Sequence, residues 1–220
     1  MTSRWMRKAE ANEPTNPAND TTVLVAAKGS GIKSVKDLAG KNVAEVQLTS
    51  LNSLSVMVLA KQAGIDPHSI HQIAIPFPQM PAALAQGRVQ AAVIVAPFTQ
   101  TALSEGATVI THPNQVLFPN GTLTCLDAMG SYINANPAVV SQFRAAVNEA
   151  VAYSATHQAE VKQTLVKGLS LTPAVAAKQV LATNFSTDFN TDSITQIAND
   201  MKEFGIISSP PQVSSLIWNP

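Results

Sequence analysis

Between residues 23 and 111, short apolar runs alternate with segments of three-four apolar spacing, and most of the spaced segments close on a glycine. VLVAA (23–27) and VQAAVIVAPF (89–98) are almost continuously apolar, as strands buried on both faces of a sheet are. KNVAEV (41–46), IHQIAIPF (70–77) and ATVIT (107–111) read as further strands. In SLSVMVLAKQAG (53–64), Leu54, Met57, Val58 and Lys61 recur at helical spacing, and Gly64 suits the left-handed position that ends a helix. PQMPAALAQG and TQTALSEG predict two short helices closed by Gly87 and Gly106. The stretch GSGIKSVKDLAG (29–40) carries nothing catalytic and reads as a connector between two pieces of sheet. Strand, loop, helix, glycine, strand repeats three times, which predicts parallel strands with helices on the faces and right-handed crossovers.

After Asn114 the texture changes. Asn120-Gly121 signals a turn, and a strand is expected near 122–126. Helices then dominate. Asn136 is placed to cap a long one and Pro137 to open it, with Val139, Val140, Phe143, Val147, Ala150 and Val151 on one stripe. A second helix is expected over about 158–167, stopping at Gly168. Thr172 and Pro173 open a third, with Val175, Val180 and Leu181 inward. Thr191 is expected to cap a fourth, with Ile194, Ile197, Met201 and Phe204 inward. The tail is expected to dock through Leu216, Ile217 and Trp218.

The composition narrows the function classes. The chain has 220 residues, 45% of them apolar and 13% charged, so it can bury one large core or two small lobes. Net charge is zero and no clustered basic face is visible, which argues against nucleic acid. No window approaches the ~18 apolar residues of a membrane span. The one cysteine, Cys125, excludes an internal disulfide and cysteine-based metal sites. Residues 1–20 hold basic residues without a following apolar run, so they do not read as a signal peptide; two prolines, asparagines and scattered charges there suggest a mobile lead-in.

In open α/β sheets ligands bind beyond the carboxyl ends of the strands. Three loops qualify: 47–53, 77–80 and 96–99. The first crowds Thr49, Ser50, Asn52, Ser53 and Ser55 at a helix start, where N–H and O–H groups suit an anionic or strongly polar group. The simpler account is that one of them caps the helix and the others face solvent. For Met80 and Phe98, core packing competes with ligand contact. GSGIKS lacks the contiguous Gly-Lys-Ser/Thr of a phosphate loop, because Ile32 intervenes. His68 and His71 lack an evident third metal ligand, and Glu45 lies within a strand without a partner carboxylate nearby. No cofactor or metal site is expected.

The run SGIKSVKDLAGKNVAEV, its hydroxyl-rich loop and a helix ending AGID, then MPAALAQGRVQAAVIVAPF and INANPAVVSQFRAAVNEA, resemble the nitrate/sulfonate/taurine-type, NMT1/THI5-like solute-binding proteins of ABC importers. The resemblance covers about 23–204. It implies an α/β, periplasmic-binding-protein-like two-lobe fold of type II, with the first βαβ portion of lobe one missing. Residues 1–20 are then the lead-in, 21–40 and 115–220 an incomplete lobe one, and 41–114 lobe two, with 23–27 and 122–126 as the crossing hinge strands. It further implies a non-catalytic protein that binds a small organic or anionic solute (sulfonate, nitrate, taurine or pyrimidine-like) between the lobes and delivers it to an ABC permease. Periplasmic or cell-surface location and self-association through the incomplete lobe follow from the same resemblance. Its ligand-binding residues would be Gln47, Thr49, Ser50, Asn52, Gln79, Met80, Pro97 and Phe98. The alternatives are a same-fold biosynthetic enzyme of the thiamine-pyrimidine or menaquinone-pathway type, or a cytosolic ligand-sensing domain.

Overall fold

The computed structural model describes residues 3–6, 9–10, 21–117, 126–168, 173–178, 185–186 and 190–217. In chain order its elements begin with β1 (Ser3–Met6), β2 (Ala9–Glu10), β3 (Thr22–Ala26) and β4 (Asn42–Glu45). Then come α1 (Leu51–Gln62), β5 (His71–Ala74), α2 (Met80–Ala85), β6 (Ala91–Val95), α3 (Phe98–Ser104), β7 (Thr108–Thr111) and α4 (Pro113–Leu117). The remainder is β8 (Leu126–Met129), α5 (Gly130–Ala135), α6 (Pro137–Thr156), α7 (Gln158–Gly168), α8 (Pro173–Lys178), β9 (Phe185–Ser186), α9 (Thr191–Glu203) and α10 (Val213–Leu216). The chain divides into two compact units, Thr15–Pro119 and Met1–Pro14 with Asn120–Pro220.

The middle unit is a five-stranded sheet in the order β5-β4-β6-β3-β7. β4 pairs in parallel with β5 and β6, as the strand–helix repeat predicts. β3 departs from the all-parallel expectation: it pairs antiparallel with both β6 and β7. It enters the sheet from the opposite end, and the connector at 27–41, with a single helical turn at Val35–Leu38, carries the chain past β6 to β4 in the reversed direction. This also revises the expected boundaries. Residues 21–40 belong with the middle sheet, because β3 is bonded on both sides within it.

Strand alternation sorts the core into two layers. Val23, Val25, Ala44, Ala92 and Ile94 face α2 and α3, where Met80, Ala83, Leu84 and Ala102 complete one cluster. Leu24, Ala26, Val43, Ala91 and Val93 face the other way and pack with Val56 and Ala60 of α1. Each fully buried large aliphatic side chain, such as Leu24 or Ile94, contributes about 1.5–3 kcal/mol by leaving water. The predicted helix stop at Gly64 has φ of 76°, and its N–H closes the last turn on the Lys61 carbonyl at 3.0 Å. In the connector ahead of β4, the exposed Asp37 carboxylate accepts from Lys33 N at 3.0 Å, Ser34 N at 2.9 Å and Ser34 Oγ at 3.0 Å. Those three donors hold its carboxyl below the usual aspartate range, the Lys33 N–H bond most of all.

The second unit differs more from expectation. Residues 3–6 are not a mobile lead-in: β1 pairs antiparallel with β8, from Ser3 opposite Met129 to Met6 opposite Leu126, and β2 pairs with β9. The strand expected at 122–126 falls mainly on residues outside those described, as do Cys125, the Asn120-Gly121 turn, Thr172, Val180, Leu181 and Trp218. In α6, Val140 is buried with Ile133, but Val139 and Phe143 are about half exposed at 51% and 50%. The apolar stripe is present, yet only part of it is covered within the unit. Asn136 does not cap α6 through its side chain; its Nδ2 donates back to the Tyr132 carbonyl at 3.1 Å. The cap of α9 is Asn190, whose Oδ1 accepts from Ser193 N at 3.0 Å, and Thr191 is the first helical residue. α10 packs on α9 and β1, as the docking of the tail requires.

Candidate functional site

Because β4, β5 and β6 run in parallel, the segments that follow them emerge at one end of the middle sheet. These are the turn at 47–50, the turn at 76–79 and Ala96-Pro97. β3 begins at the same end, where Ala96 N donates to the Thr21 carbonyl at 3.1 Å. The eight residues expected at a binding site are all carried by these three segments or by the helix starts next to them. The structure gives them unequal roles.

Ser50 caps α1, accepting from Ser53 N at 3.2 Å. The simpler of the two accounts of the hydroxyl cluster therefore holds for this residue. Neighbouring hydroxyls are also engaged locally: Ser53 Oγ donates to the Leu48 carbonyl at 2.8 Å and Ser55 Oγ to the Asn52 carbonyl at 2.7 Å. Gln72 of β5 reinforces the turn from below. Its Nε2 donates to the Ser53 carbonyl at 3.2 Å, and its Oε1 shares the Ser53 hydroxyl proton with the Leu48 carbonyl. Gln47 and Thr49 project into solvent, and Asn52 is half buried. The first turn of a helix has N–H groups with no intrahelical acceptor, and those of Leu51 and Asn52 lie in this one.

In the second segment Gln79 is exposed, whereas Met80 is fully enclosed in the core against Val25, Ile94 and their neighbours. Met80 thus presents no surface to a ligand in this conformation; it anchors α2. In the third, Ala96-Pro97 is a cis peptide and Phe98 is half buried against the same cluster. Thr99 Oγ1, one residue on, is buried without a hydrogen-bond partner.

The residue that sequence reasoning undervalued is Glu45. It ends β4 at this edge of the sheet, is 0% exposed, and neither carboxylate oxygen has a hydrogen-bond partner. Burial alone pushes its carboxyl well above the usual glutamate range. Desolvation of this kind favours the neutral carboxylic acid over the carboxylate. The signal was in the sequence: Glu45 is in phase with Val43 on a strand whose neighbours are apolar. Looking for a partner carboxylate missed it, because its peculiarity is having none.

His68 and His71 are both exposed at the start of β5. Away from this edge, the second unit holds a groove of about 430 Å³ between α6 and α7, lined in part by Ala146, Ala150, Tyr153 and Val161. There Tyr153 OH donates to Glu160 Oε2 at 2.9 Å, and the Tyr153 ring stacks on His157 with centroids 3.6 Å apart. No residue expected at the binding site lines it.

The family model described as "NMT1/THI5 like" matches residues 17–161. The chain belongs to that family. Its fold is the periplasmic-binding-protein fold of solved sulfonate-binding proteins. The periplasmic aliphatic sulphonate binding protein SsuA from Escherichia coli superposes with a TM-score of 0.78 at 23% identity, over 98% of this chain and 69% of that one. The alkanesulfonate-binding protein SsuA from Xanthomonas axonopodis pv. citri, bound to MOPS, gives 0.76 at 19% identity, over 100% and 74%. The desulfurization enzyme DSZB gives 0.69 at 11% identity, over 98% and 76%. Among curated protein sequences none matches the chain.

Proposed function

We propose that this NMT1/THI5-like chain is a solute-binding component of an ABC importer, working without catalysis at the periplasmic or cell-surface side. Its ligand is a small organic or anionic solute of the sulfonate, nitrate, taurine or pyrimidine-like kind. The observation that carries this reading is the gathering of the three loops at one sheet edge, in a fold whose open sheets bind ligands at the carboxyl ends of their strands. The first turn of α1 supplies unengaged N–H groups and the positive end of the helix dipole to the solute's polar head. Gln47, Thr49, Asn52 and Gln79 offer side-chain donors around it, while Pro97 and Phe98 form an apolar wall. An ABC permease is the protein partner in this reading.

A thermal-shift screen with alkanesulfonates, nitrate, taurine and pyrimidines tests it. A concentration-dependent rise in melting temperature with at least one of them is expected, with the solute recovered unchanged. The competing reading is a catalyst on the same scaffold, as the desulfurization enzyme DSZB is by its description. Disappearance of a stabilising compound with appearance of a product favours that reading. Absence of any shift across the screen contradicts solute binding.

A further inference from the structure

Glu45 is the one described carboxyl that is both fully buried and without any hydrogen-bond partner on either oxygen. Leaving a buried polar group unsatisfied costs about 1–3 kcal/mol, so a carboxyl at this strand position calls for a physical explanation. Position supplies one. Glu45 shares a sheet face with Val43, and Val43 is directly opposite Gln72 on β5. Gln72 reaches the first turn of α1 through Ser53. Glu45 lies two residues further toward the carboxyl end on that same face, so it sits beneath the segment joining β4 to α1, at the edge where the candidate loops emerge.

We infer that Glu45 is the acceptor for a cationic nitrogen of the bound solute, reached when the turn at 47–50 lifts from the end of β4. This rests on the reading of that edge as the solute site, and it narrows the ligand class to molecules that carry, as taurine does, an ammonium-type or amidinium-type group besides a polar or anionic head. The two ends would be held by different devices, the head at the N–H groups of α1 and the nitrogen at Glu45. The covering turn is suited to movement. Gln47, Leu48 and Thr49 are exposed, and the turn is fastened by the Ser50 N–H to the Gln47 carbonyl and by Ser53 Oγ to the Leu48 carbonyl.

Among the described residues no hydrogen bond or ion pair engages the carboxyl. The side chains sharing its face on neighbouring strands, among them Val43, Gln72, Val93 and Leu24, are uncharged. Of the titratable groups on the elements packed there, Lys61 stands at the far end of α1, His112 precedes α4, and His71 is exposed at the far end of β5. No charged neighbour contributes to the shift in its titration, which burial alone produces. Burial favours the neutral form of this carboxyl, and a cation pairing with that form converts it to the carboxylate, the displaced proton leaving to solvent.

Calorimetric titration of the full chain with 3-aminopropanesulfonate and propanesulfonate, two probes that differ in the ammonium group, tests the assignment. The amino compound is expected to bind at least about thirtyfold more tightly. Its affinity should rise with pH from the ordinary glutamate range upward, with proton release visible as a buffer-dependent enthalpy. E45Q and E45L should bind both compounds equally and lose the pH dependence; two variants are used so that one poorly folded protein does not decide the matter. Equal affinities in the wild type, or a preference that survives in either folded variant, overturns the role of Glu45 and leaves solute binding standing. Failure of both compounds to bind the wild type overturns the assignment together with the reading of the edge on which it rests.

Discussion

Gln72 on β5 holds Ser53 on α1 through two bonds, one to its carbonyl and one to its hydroxyl, so the second parallel strand fixes where the first helix begins. The two residues are 19 apart in sequence, and their link sets the height of the candidate loop above the sheet. Replacing Gln72 with leucine removes both bonds, while the Ser53 hydroxyl keeps its bond to the Leu48 carbonyl. A loss of about 1–3 kcal/mol in urea denaturation is expected. Faster hydrogen exchange at the amides of the α1 first turn should accompany it. Unchanged stability with unchanged exchange would show that the link does not support the loop.

Ser50 separates capping from binding. Its side chain satisfies the Ser53 N–H, so Ser50→Ala should cost about 1 kcal/mol of stability whether or not a ligand exists. Ser50→Asp restores a capping acceptor and should recover most of that loss, but it places a negative charge where an anionic head would sit. If the loop binds an anion, the aspartate variant melts near the wild-type temperature and loses ligand-induced stabilisation. Ser50→Ala combined with Asn52→Ala should abolish that stabilisation as well. A ligand shift of wild-type size in both variants would remove the loop from the binding site.

Glu45 makes stability depend on pH in the sense opposite to a salt-bridged carboxylate. Its folded-state pKa is raised, so between the ordinary glutamate value of about 4.3 and the folded value the native state holds more protons than the unfolded chain. Its contribution is therefore complete below that ordinary value and declines as pH rises toward the folded value, by up to about 1.4 kcal/mol per unit. Denaturant melts of the wild type at several pH values should show this slope, and E45Q should flatten it. E45L should also be more stable than wild type near neutral pH, by about 1–3 kcal/mol, the usual penalty of an unsatisfied buried group. A wild-type profile identical to that of E45Q would mean that the carboxyl finds a partner in solution.

Much of the middle unit was legible from pattern alone. The apolar run at 89–98, whose strand is the shorter Ala91–Val95, the helical spacing of Leu54 and Val58, and the positive-φ glycines at 64, 87 and 106 each have a local cause. What pattern did not carry was pairing. That β3 lies between β6 and β7 depends on bonds between residues about seventy and eighty positions apart, and no local preference encodes them. The N-terminal strand was missed for the same reason: Ser3–Met6 has little strand character of its own and is extended because β8 bonds to it. At the site, the three loops were readable because strand ends are. Met80, a candidate by its place near a loop, points into the core, and the burial of Glu45 depends on what surrounds it, which local pattern does not carry.

The apolar stripe of α6 gives a contrast within one helix. Val140 is buried and its neighbour Val139 is half exposed. Val140→Ala should cost about 2 kcal/mol through lost burial and a small cavity. Val139→Lys and Phe143→Lys should change stability by no more than about 0.5 kcal/mol, as exposed substitutions usually do. Large losses at Val139 or Phe143 would mean that this face is covered in solution.

Hydrogen exchange of the chain with and without propanesulfonate addresses the binding edge directly. Binding there should slow exchange together in three segments, at about 47–54, 76–80 and 96–99, and leave the groove between α6 and α7 unchanged. Protection confined to the residues around Tyr153 and Val161, or no protection anywhere at concentrations that raise the melting temperature, would contradict it.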